Sequence, residues 1–255
     1  MNESLIELPQ PPFCQCNVIG SPLSVVYNMD CVEGMKHYPD KYFDLAICDP
    51  PYGIQVQNNF GIGNRNDKQK DASIDWDNNT PNEDYFNELK RVSKEQIIWG
   101  ANYFNCFSGK MGAIIWDKLQ PLPDSSQCEI ASYSRVRKVF KYTQRWTNFV
   151  NTKETEHPTE KPIELYKWLI KNFAECSECG GSGEVVSLTI DCDVQTCKKC
   201  KGNTPKILDT HLGSGASRIA AYFMGVNFVG FELSKKYCQM QSKRFKDAIS
   251  QQRLF

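Results

Sequence analysis

A carboxylate, two prolines and a tyrosine follow directly on an apolar run in the first quarter of the chain. Residues 44–48 (DLAIC) read as a short buried strand, and Pro50 and Pro51 end it because neither can donate a backbone hydrogen bond. Asp49 and Tyr52 are therefore presented on a stiff turn at the carboxyl end of a strand, where open α/β sheets bind ligands. This pairs a hydrogen-bond acceptor with an aromatic face, although an ordinary strand exit could carry the same residues.

A second candidate site is the glycine turn in residues 207–215 (ILDTHLGSG), which reads as a strand, a turn and the start of a helix. Gly213 and Gly215 let the backbone come close to a nucleotide-like ligand. The third position of the dinucleotide fingerprint is Arg218, where glycine or alanine is expected, and this counts against NAD. The next strand ends at Glu232, whose carboxylate can accept both ribose hydroxyls. A ligand with a ribose but no phosphate fits this pairing better than a dinucleotide.

Two CxxC pairs form a third candidate site. Cys176 and Cys179 are separated by 17 residues from Cys197 and Cys200, and glycines follow each pair. Four thiolates complete a closed tetrahedral zinc site that has no open position for catalysis, so the metal would be structural. The motifs resemble the CxxCxGxG zinc knuckles of DnaJ-type proteins. A disulfide pair is the alternative, and Cys192 is a bystander without a CxxC partner.

The elements that position these residues alternate between strands and helices. This order predicts an α/β fold with a mostly parallel, twisted sheet and helices on both faces, interrupted at residues 175–204. The predicted strands are 24–29, 44–48, 96–99, 113–116, 206–208 and 227–231, and the predicted helical segments are 31–38, 81–93, 161–174, 216–224 and 234–249.

The composition limits the classes of function. The 255 residues, 40% hydrophobic and 24% charged, suit one globular α/β domain with a small appendage. Thirty basic residues balance thirty acidic ones, so a polyanion site must be a local patch. The chain shows neither a secretion signal nor a membrane-spanning run, and we expect an intracellular protein without a membrane partner. Its twelve cysteines then suggest free thiols and a metal.

Taken together, these motifs resemble the β-class amino-methyltransferases that modify DNA with S-adenosylmethionine. In that family the Asp-Pro-Pro-Tyr motif precedes the glycine motif, as residues 49–52 do here. Residues 157–162 (HPTEKP) resemble the family's HPTxKP element, and residues 93–104 (SKEQIIWGANYF) and 112–118 (GAIIWDK) are similar to small phage-type members. The resemblance covers essentially the whole chain except residues 175–204.

The resemblance implies a Rossmann-like methyltransferase fold. Residues 1–174 and 205–255 would form one discontinuous methyltransferase domain, and residues 175–204 a zinc-ribbon-like insert on its rim. One departure concerns the glycine motif, where the family usually has Asp-Pro-Phe and this chain has Asp209, Thr210 and His211. Packing around the cofactor is therefore expected to differ at His211.

The activity implied is methyl transfer from S-adenosylmethionine to the N6 amine of adenine in DNA. An exocyclic base amine is a poor nucleophile because its lone pair is delocalised into the ring. Asp49 and the carbonyl of Pro50 can accept both amine hydrogens, which favours a localised lone pair oriented for attack. The adenine must flip out of the duplex to reach this pocket, and Tyr52 offers a ring on which it can stack. Adenine is preferred over cytosine N4 because family members with Asp at the first motif position mostly act on adenine.

The resemblance also supplies the site residues. Asp30 would contact the cofactor's adenine, Glu232 its ribose, and Thr159 and Lys161 its methionine carboxylate. The full predicted cofactor set is Asp30, Thr159, Lys161, Asp209, Leu212, Gly213, Ser214, Gly215 and Glu232, and the predicted catalytic set is Asp49, Pro50, Pro51 and Tyr52.

DNA is the expected partner, and the cytoplasm of a bacterial or phage-infected cell the expected location. Phosphate contacts need local charge, and residues 135–145 (RVRKVFKYTQR) carry five basic residues with aromatics interleaved. A solvated strand or hairpin face explains that stretch equally well. Residues 55–79 are either a lid that orders on DNA or a plain loop. The oligomeric state stays open, with a dimer among the alternatives, as does a non-catalytic zinc-dependent nucleic-acid-binding protein on the same fold.

Overall fold

The computed structural model describes residues 22–54, 80–107, 111–119, 126–135, 137–145, 160–176, 178, 180, 184–186 and 194–251. The predicted site residues Thr159 and Cys179, and the candidate lid at 55–79, lie outside these ranges.

The predicted alternation of strands and helices is confirmed in the described part of the chain. The strands are β1 (Ser24–Tyr27), β2 (Phe43–Cys48), β3 (Ser93–Trp99), β4 (Gly112–Asp117), β5 (Cys128–Tyr133), β6 (Val139–Thr143), β7 (Glu184–Val186), β8 (Val194–Thr196), β9 (Lys206–Asp209) and β10 (Asn227–Phe231). The helices are α1 (Cys31–Met35), α2 (Glu83–Val92), α3 (Ile163–Phe173), α4 (Ala216–Phe223) and α5 (Lys235–Gln251).

Eight of these strands form one mixed sheet in the order β1-β10-β9-β2-β3-β5-β4-β6. Every pairing is parallel except those of β5, which runs antiparallel to both β3 and β4. The prediction of a mostly parallel sheet is therefore confirmed, but the reversed strand β5 was missed. Its sequence, CEIASY, mixes Glu129 and Ser132 with apolar residues and lacks the continuous apolar run that marks a buried strand.

Helices cover both faces of the sheet, because successive side chains of a strand point to opposite sides. Along β2, Leu45 and Ile47 pack into a core cluster that includes α3 and α4. Ala46 and Cys48, which alternate with them, pack into a second cluster that includes α1 and α2. The core therefore lies in two layers, one on each face.

The carboxyl ends of the parallel strands bring the predicted polar residues to one edge. Asp49 directly follows β2, Thr210 directly follows β9 and Glu232 directly follows β10, while Asp30 lies three residues beyond β1. Four neighbouring strands thus deliver three carboxylates and a hydroxyl to the same edge, which is where α/β sheets bind ligands.

The segment that interrupts the alternation contains a small sheet of its own. Strands β7 and β8 pair antiparallel, with Val185 opposite Gln195, and join none of the eight strands of the main sheet. This is consistent with an insert between α3 and β9, and the boundaries at 175 and 204 stay a prediction. In the described ranges, none of the helices has the length and apolar character that crossing a membrane requires.

Candidate active site

A cleft of about 630 Å³ opens at the carboxyl edge of the sheet, a size typical of small-molecule sites. Eight of the predicted residues line it: Asp30, Asp49, Pro51, Lys161, Leu212, Gly213, Ser214 and Glu232. His211 lines it as well. Pro50, Tyr52, Asp209 and Gly215 are not among the lining residues.

Asp49 is held at both carboxylate oxygens. The Tyr52 hydroxyl donates to Asp49 Oδ1 at 2.6 Å, and the Lys161 ammonium is paired with Asp49 Oδ2. Burial and the nearby Asp49 carboxylate raise the pKa of Tyr52 well above its ordinary value, so its hydroxyl keeps the proton that it donates. The carboxylate is thereby fixed in orientation at the cleft wall.

The ring of Tyr52 is fixed by the turn after β3. Gly100 adopts φ +71°, and a Cβ there would come within 2.2 Å of the Tyr52 ring, so this close approach requires glycine. Tyr103 stacks on Tyr52 with ring centroids 4.9 Å apart and an interplanar angle of 16°. Tyr52 is therefore part of an aromatic stack beside the cleft.

Lys161 is the buried cation of the site, with a side chain only 3% exposed. Its Nζ lies 3.0 Å from Oε2 of Glu129 in addition to its pairing with Asp49. Burial alone lowers the pKa of an ammonium, but Asp49 and Glu129 together outweigh it and hold the pKa of Lys161 above its ordinary value. The lysine stays charged between two carboxylates.

Glu129 is the site residue that sequence reasoning missed. It lies on β5, and its Oε1 is paired with Lys118 at 2.5 Å while Oε2 faces Lys161. Burial raises the pKa of its carboxyl group, but Lys161 and Lys118 outweigh burial and hold the pKa below its ordinary value. Its strand, CEIASY, carries no motif and no continuous apolar run that would have marked the glutamate as a site residue.

The side-chain carboxylate of Glu232 is held by two backbone N–H groups, one of them in the glycine turn. Glu232 accepts from the N–H groups of Gly213 and Ser234, both at 2.8 Å, and burial raises the pKa of its carboxyl group. Gly215 precedes α4 with φ +79°, and a Cβ there would come within 2.8 Å of the side chain of Gln241. Gly215 therefore serves the packing of α4 against α5, while Gly213 reaches the cleft.

Asp209 lies beneath the cleft and is 2% exposed. Its carboxylate accepts from the Ser217 hydroxyl at 2.5 Å and from the His211 N–H at 3.0 Å. Burial raises the pKa of Asp209 to about 7. Asp209 therefore stabilises the turn from its buried side.

His211 occupies the position at which the sequence departs from the family pattern. Burial lowers the pKa of His211 to about 4, so a neutral imidazole faces the cleft at pH 7. Its Nδ1 lies 2.9 Å from the hydroxyl oxygen of Thr210, which also contacts the Tyr85 hydroxyl at 2.8 Å. Asp30 lines the cleft too, and it caps α1 by accepting from the N–H groups of Val32 and Glu33.

Three of the four predicted metal ligands lie together in the described part of the insert. The sulfurs of Cys176, Cys197 and Cys200 all lie within 4.8 Å of one another, and those of Cys176 and Cys197 are 3.7 Å apart. Each knuckle closes with the same hydrogen bond, from Gly180 N to Cys176 O and from Lys201 N to Cys197 O. All eight cysteines in the described ranges are free of disulfides.

The basic stretch contains some residues in ion pairs and some that are simply exposed. Arg135 is paired with Glu95 at 3.2 Å, and Lys141 with Asp117 at 2.7 Å. Both pairs are at the surface, and Arg137 is also exposed. The stretch includes the edge strand β6, so a solvated strand face is present, and a role in DNA contact stays a prediction.

A family model described as DNA methylase matches residues 113–244, which is more than half of the chain. The chain belongs to the DNA methylase family. A relative of this methylase is the type II methyltransferase M.HinfI of Haemophilus influenzae, 22% identical over 252 residues that cover 88% of this chain and 69% of the relative.

Two solved structures share the fold of the methylase. The M1.HpyAVI–SAM complex superposes with a TM-score of 0.51 at 17% identity, covering 86% of this chain and 98% of that one. The cytosine-N4-specific PvuII DNA methyltransferase gives 0.51 at 11% identity, covering 89% and 92%. These likenesses confirm the predicted fold class, a Rossmann-like sheet with helices.

Asp209 and His211 predict opposite effects of pH on the stability of the methylase. The raised pKa of Asp209 removes stability as pH rises from about 4 to about 7, because the folded state retains a proton that the unfolded state releases. The lowered pKa of His211 removes stability as pH falls from 6.5 to about 4, because only the unfolded state gains the proton.

The test is chemical denaturation of Asp209→Asn and His211→Asn between pH 4 and 7.5. Relative to wild type, Asp209→Asn should gain stability as pH rises, and His211→Asn should gain stability as pH falls. The change in the free energy of unfolding should be about 1.4 kcal/mol for each unit by which the pKa of the group differs between the folded and unfolded states. Difference curves with the same slope for both variants would contradict the assignment.

Proposed function

We propose that this methylase transfers the methyl group of S-adenosylmethionine to the N6 amine of adenine in DNA. The observation that carries the proposal is the position of Asp49, a carboxylate fixed at both oxygens on the wall of a cleft that also holds the glycine turn and Glu232. The curated relative M.HinfI is named a type II methyltransferase, and one structural neighbour was solved as a SAM complex, which supports the same class of reaction.

The cleft fits the cofactor on the chemistry of its donors. Glu232 at the end of β10 offers a carboxylate for the ribose hydroxyls, and Gly213 brings the backbone to the cleft without a side chain. Asp30 would meet the adenine ring, and Lys161, with Thr159 by resemblance, would meet the methionine carboxylate. When bound, S-adenosylmethionine supplies a methyl group on a positively charged sulfur.

Asp49 orients the target amine in this proposal. Each carboxylate oxygen has a second lone pair beyond the one used by Tyr52 or Lys161, so Asp49 can accept an amine hydrogen while it stays fixed. The Pro50 carbonyl would take the other hydrogen. Adenine N6 is preferred because family members whose motif begins with Asp, as at Asp49, mostly act on adenine. Cytosine N4 is the second candidate because the fold is shared with a cytosine-N4-specific enzyme.

The cysteine cluster supports a structural zinc site in the insert. A tetrahedral site with Zn–S bonds of about 2.3 Å places sulfurs about 3.8 Å apart. The 3.7 Å separation of the Cys176 and Cys197 sulfurs agrees with that value, and Cys200 completes three corners. Cys179 would provide the fourth. The insert would then be a small module on the rim that contacts DNA or a partner.

We predict that Asp49→Ala loses at least about 10²-fold in turnover, because the amine loses its main acceptor. Cofactor affinity should be unchanged or tighter, since Asp49 does not hold the cofactor and its loss removes an anion that competes for Lys161. Methyl transfer to duplex DNA measures the first quantity and calorimetry the second. Asp40→Ala, which removes an aspartate on the surface, is the matched control and should keep full activity. Unchanged turnover in Asp49→Ala would sink the mechanism, and loss of cofactor binding alone would favour a different role for Asp49.

For the insert, we predict one zinc per chain by elemental analysis. Cys176→Ser and Cys200→Ser should each lose it, because either change removes a ligand of the cluster. Cys128→Ser is the control, since Cys128 is an exposed free thiol on β5 outside the insert, and it should retain the metal. Purified wild-type protein that is free of metal and still melts in one cooperative transition would rule out the zinc site.

For the basic stretch, we predict that Arg137→Ala combined with Lys141→Ala weakens DNA binding for every sequence tested. The slope of log affinity against log salt should fall by about one for each lost phosphate contact. Lys36→Ala combined with Lys94→Ala removes the same charge from outside the stretch and should leave the slope unchanged. Equal effects of the two double variants would show that only net charge matters.

A further inference from the structure

The strand β5 adds a residue to the site that the motifs do not include. Glu129 is not among the residues that line the cleft, and its Oε2 is buried. That oxygen faces Lys161 Nζ at 3.0 Å, so the ammonium is its compensating partner. A carboxylate oxygen left in this state is costly unless the ammonium compensates for it.

Four charged groups form an alternating chain that ends at the catalytic carboxylate. Lys118 pairs with Glu129, Glu129 with Lys161, and Lys161 with Asp49. The four formal charges cancel, so the buried ammonium of Lys161 is compensated by its neighbours. Lys161 is also confined by rings, since its Nζ lies 5.4 Å from the centre of the Trp99 ring.

The sharing of Lys161 between two carboxylates has an electrostatic consequence for Asp49. An ammonium paired with Asp49 alone would neutralise that carboxylate and weaken it as an acceptor for further hydrogens. Because Lys161 interacts with Glu129 as well as with Asp49, it neutralises only part of the charge of Asp49. Lys118 pairs with the other oxygen of Glu129 and so weakens the attraction between Glu129 and Lys161. The Asp49 carboxylate is thereby oriented while its oxygens can still accept further hydrogen bonds.

We infer that Glu129 is a positioning residue for methyl transfer, which holds the Lys161 ammonium against Asp49 and shares its charge so that Asp49 remains able to accept the amine hydrogens of the target base. The inference rests on the proposed function of Asp49. Glu129 touches neither the base nor the cofactor in this arrangement, and acts through Lys161.

The test compares Glu129→Gln with Glu95→Gln in kcat, in cofactor affinity and in melting temperature. Glu95 lies on the neighbouring strand β3, where it accepts from Tyr133 and pairs with Arg135, so it matches the change in charge without reaching Lys161. Glu129→Gln should lower kcat by about 10²-fold, the size expected when a reacting group is misplaced by about 1 Å. Cofactor affinity should be unchanged or tighter, because Lys161 keeps its charge and loses a competing anion.

A role in stability alone would give a different pattern, in which Glu129→Gln lowers the melting temperature and leaves kcat of the folded fraction unchanged. Glu129→Asp keeps the charge but shortens the reach, and should lose about 10-fold in kcat, less than Glu129→Gln. Should Glu129→Gln fail to fold, Glu129→Asp carries the test.

Three outcomes overturn the inference. The first is wild-type kcat in folded Glu129→Gln, and the second, if that variant does not fold, is wild-type kcat in Glu129→Asp. In both cases active wild type and Glu95→Gln leave the proposed function standing. The third is an inactive wild type, which would overturn the proposed function and this inference together.

Discussion

A buried ammonium needs compensating charge, and in this protein the ammonium of Lys161 brings three separate parts of the chain together. Asp49 comes from the end of β2, Glu129 from β5, and Lys161 itself from the residues just before α3. Removing one partner of such a buried pair costs about 3–5 kcal/mol, because it leaves a charge without compensation. The position of the catalytic carboxylate is therefore tied to the stability of the fold around it.

The direction of the sheet determines what meets at that ammonium. Parallel strands place their carboxyl ends at one edge, so β2, β9 and β10 deliver Asp49, the glycine turn and Glu232 to one cleft. The reversed strand β5 presents its amino-terminal half at the same edge, which brings Glu129 behind Asp49. The mixed sheet thus allows a supporting carboxylate to approach the site from the side opposite the cofactor turn.

Most residues that sequence reasoning placed in the cleft directly follow or adjoin a predicted strand or turn, whereas Lys161 was placed by family resemblance at the start of a predicted helix. Asp49, Gly213 and Glu232 follow this pattern, and all three line the cleft. Glu129 could not be found in this way, since its partner Lys161 is 32 positions away and its strand lacks an apolar run.

The glycine motif shows a second limit of sequence reasoning. The motif predicts a ligand contact for each of its residues. Asp209 instead lies beneath the turn and accepts a hydrogen bond from Ser217, and Gly215 leaves room for the packing of α5. Spacing identifies the turn, but only packing distinguishes the residues that face the ligand from those that shape the backbone. The three described cysteines of the cluster were easier to predict, because the CxxC spacing keeps Cys197 and Cys200 close along the chain, and only their contact with Cys176 is long-range.

The fate of a labelled methyl group reports directly on the proposed transfer. Wild-type protein is incubated with duplex DNA and S-adenosylmethionine that carries a deuterated methyl group, and the DNA is digested to nucleosides for mass spectrometry. We expect the labelled methyl group on N6-methyladenine. Label on N4-methylcytosine would contradict the assignment of the base, and DNA without label on either base would contradict the proposed methyl transfer.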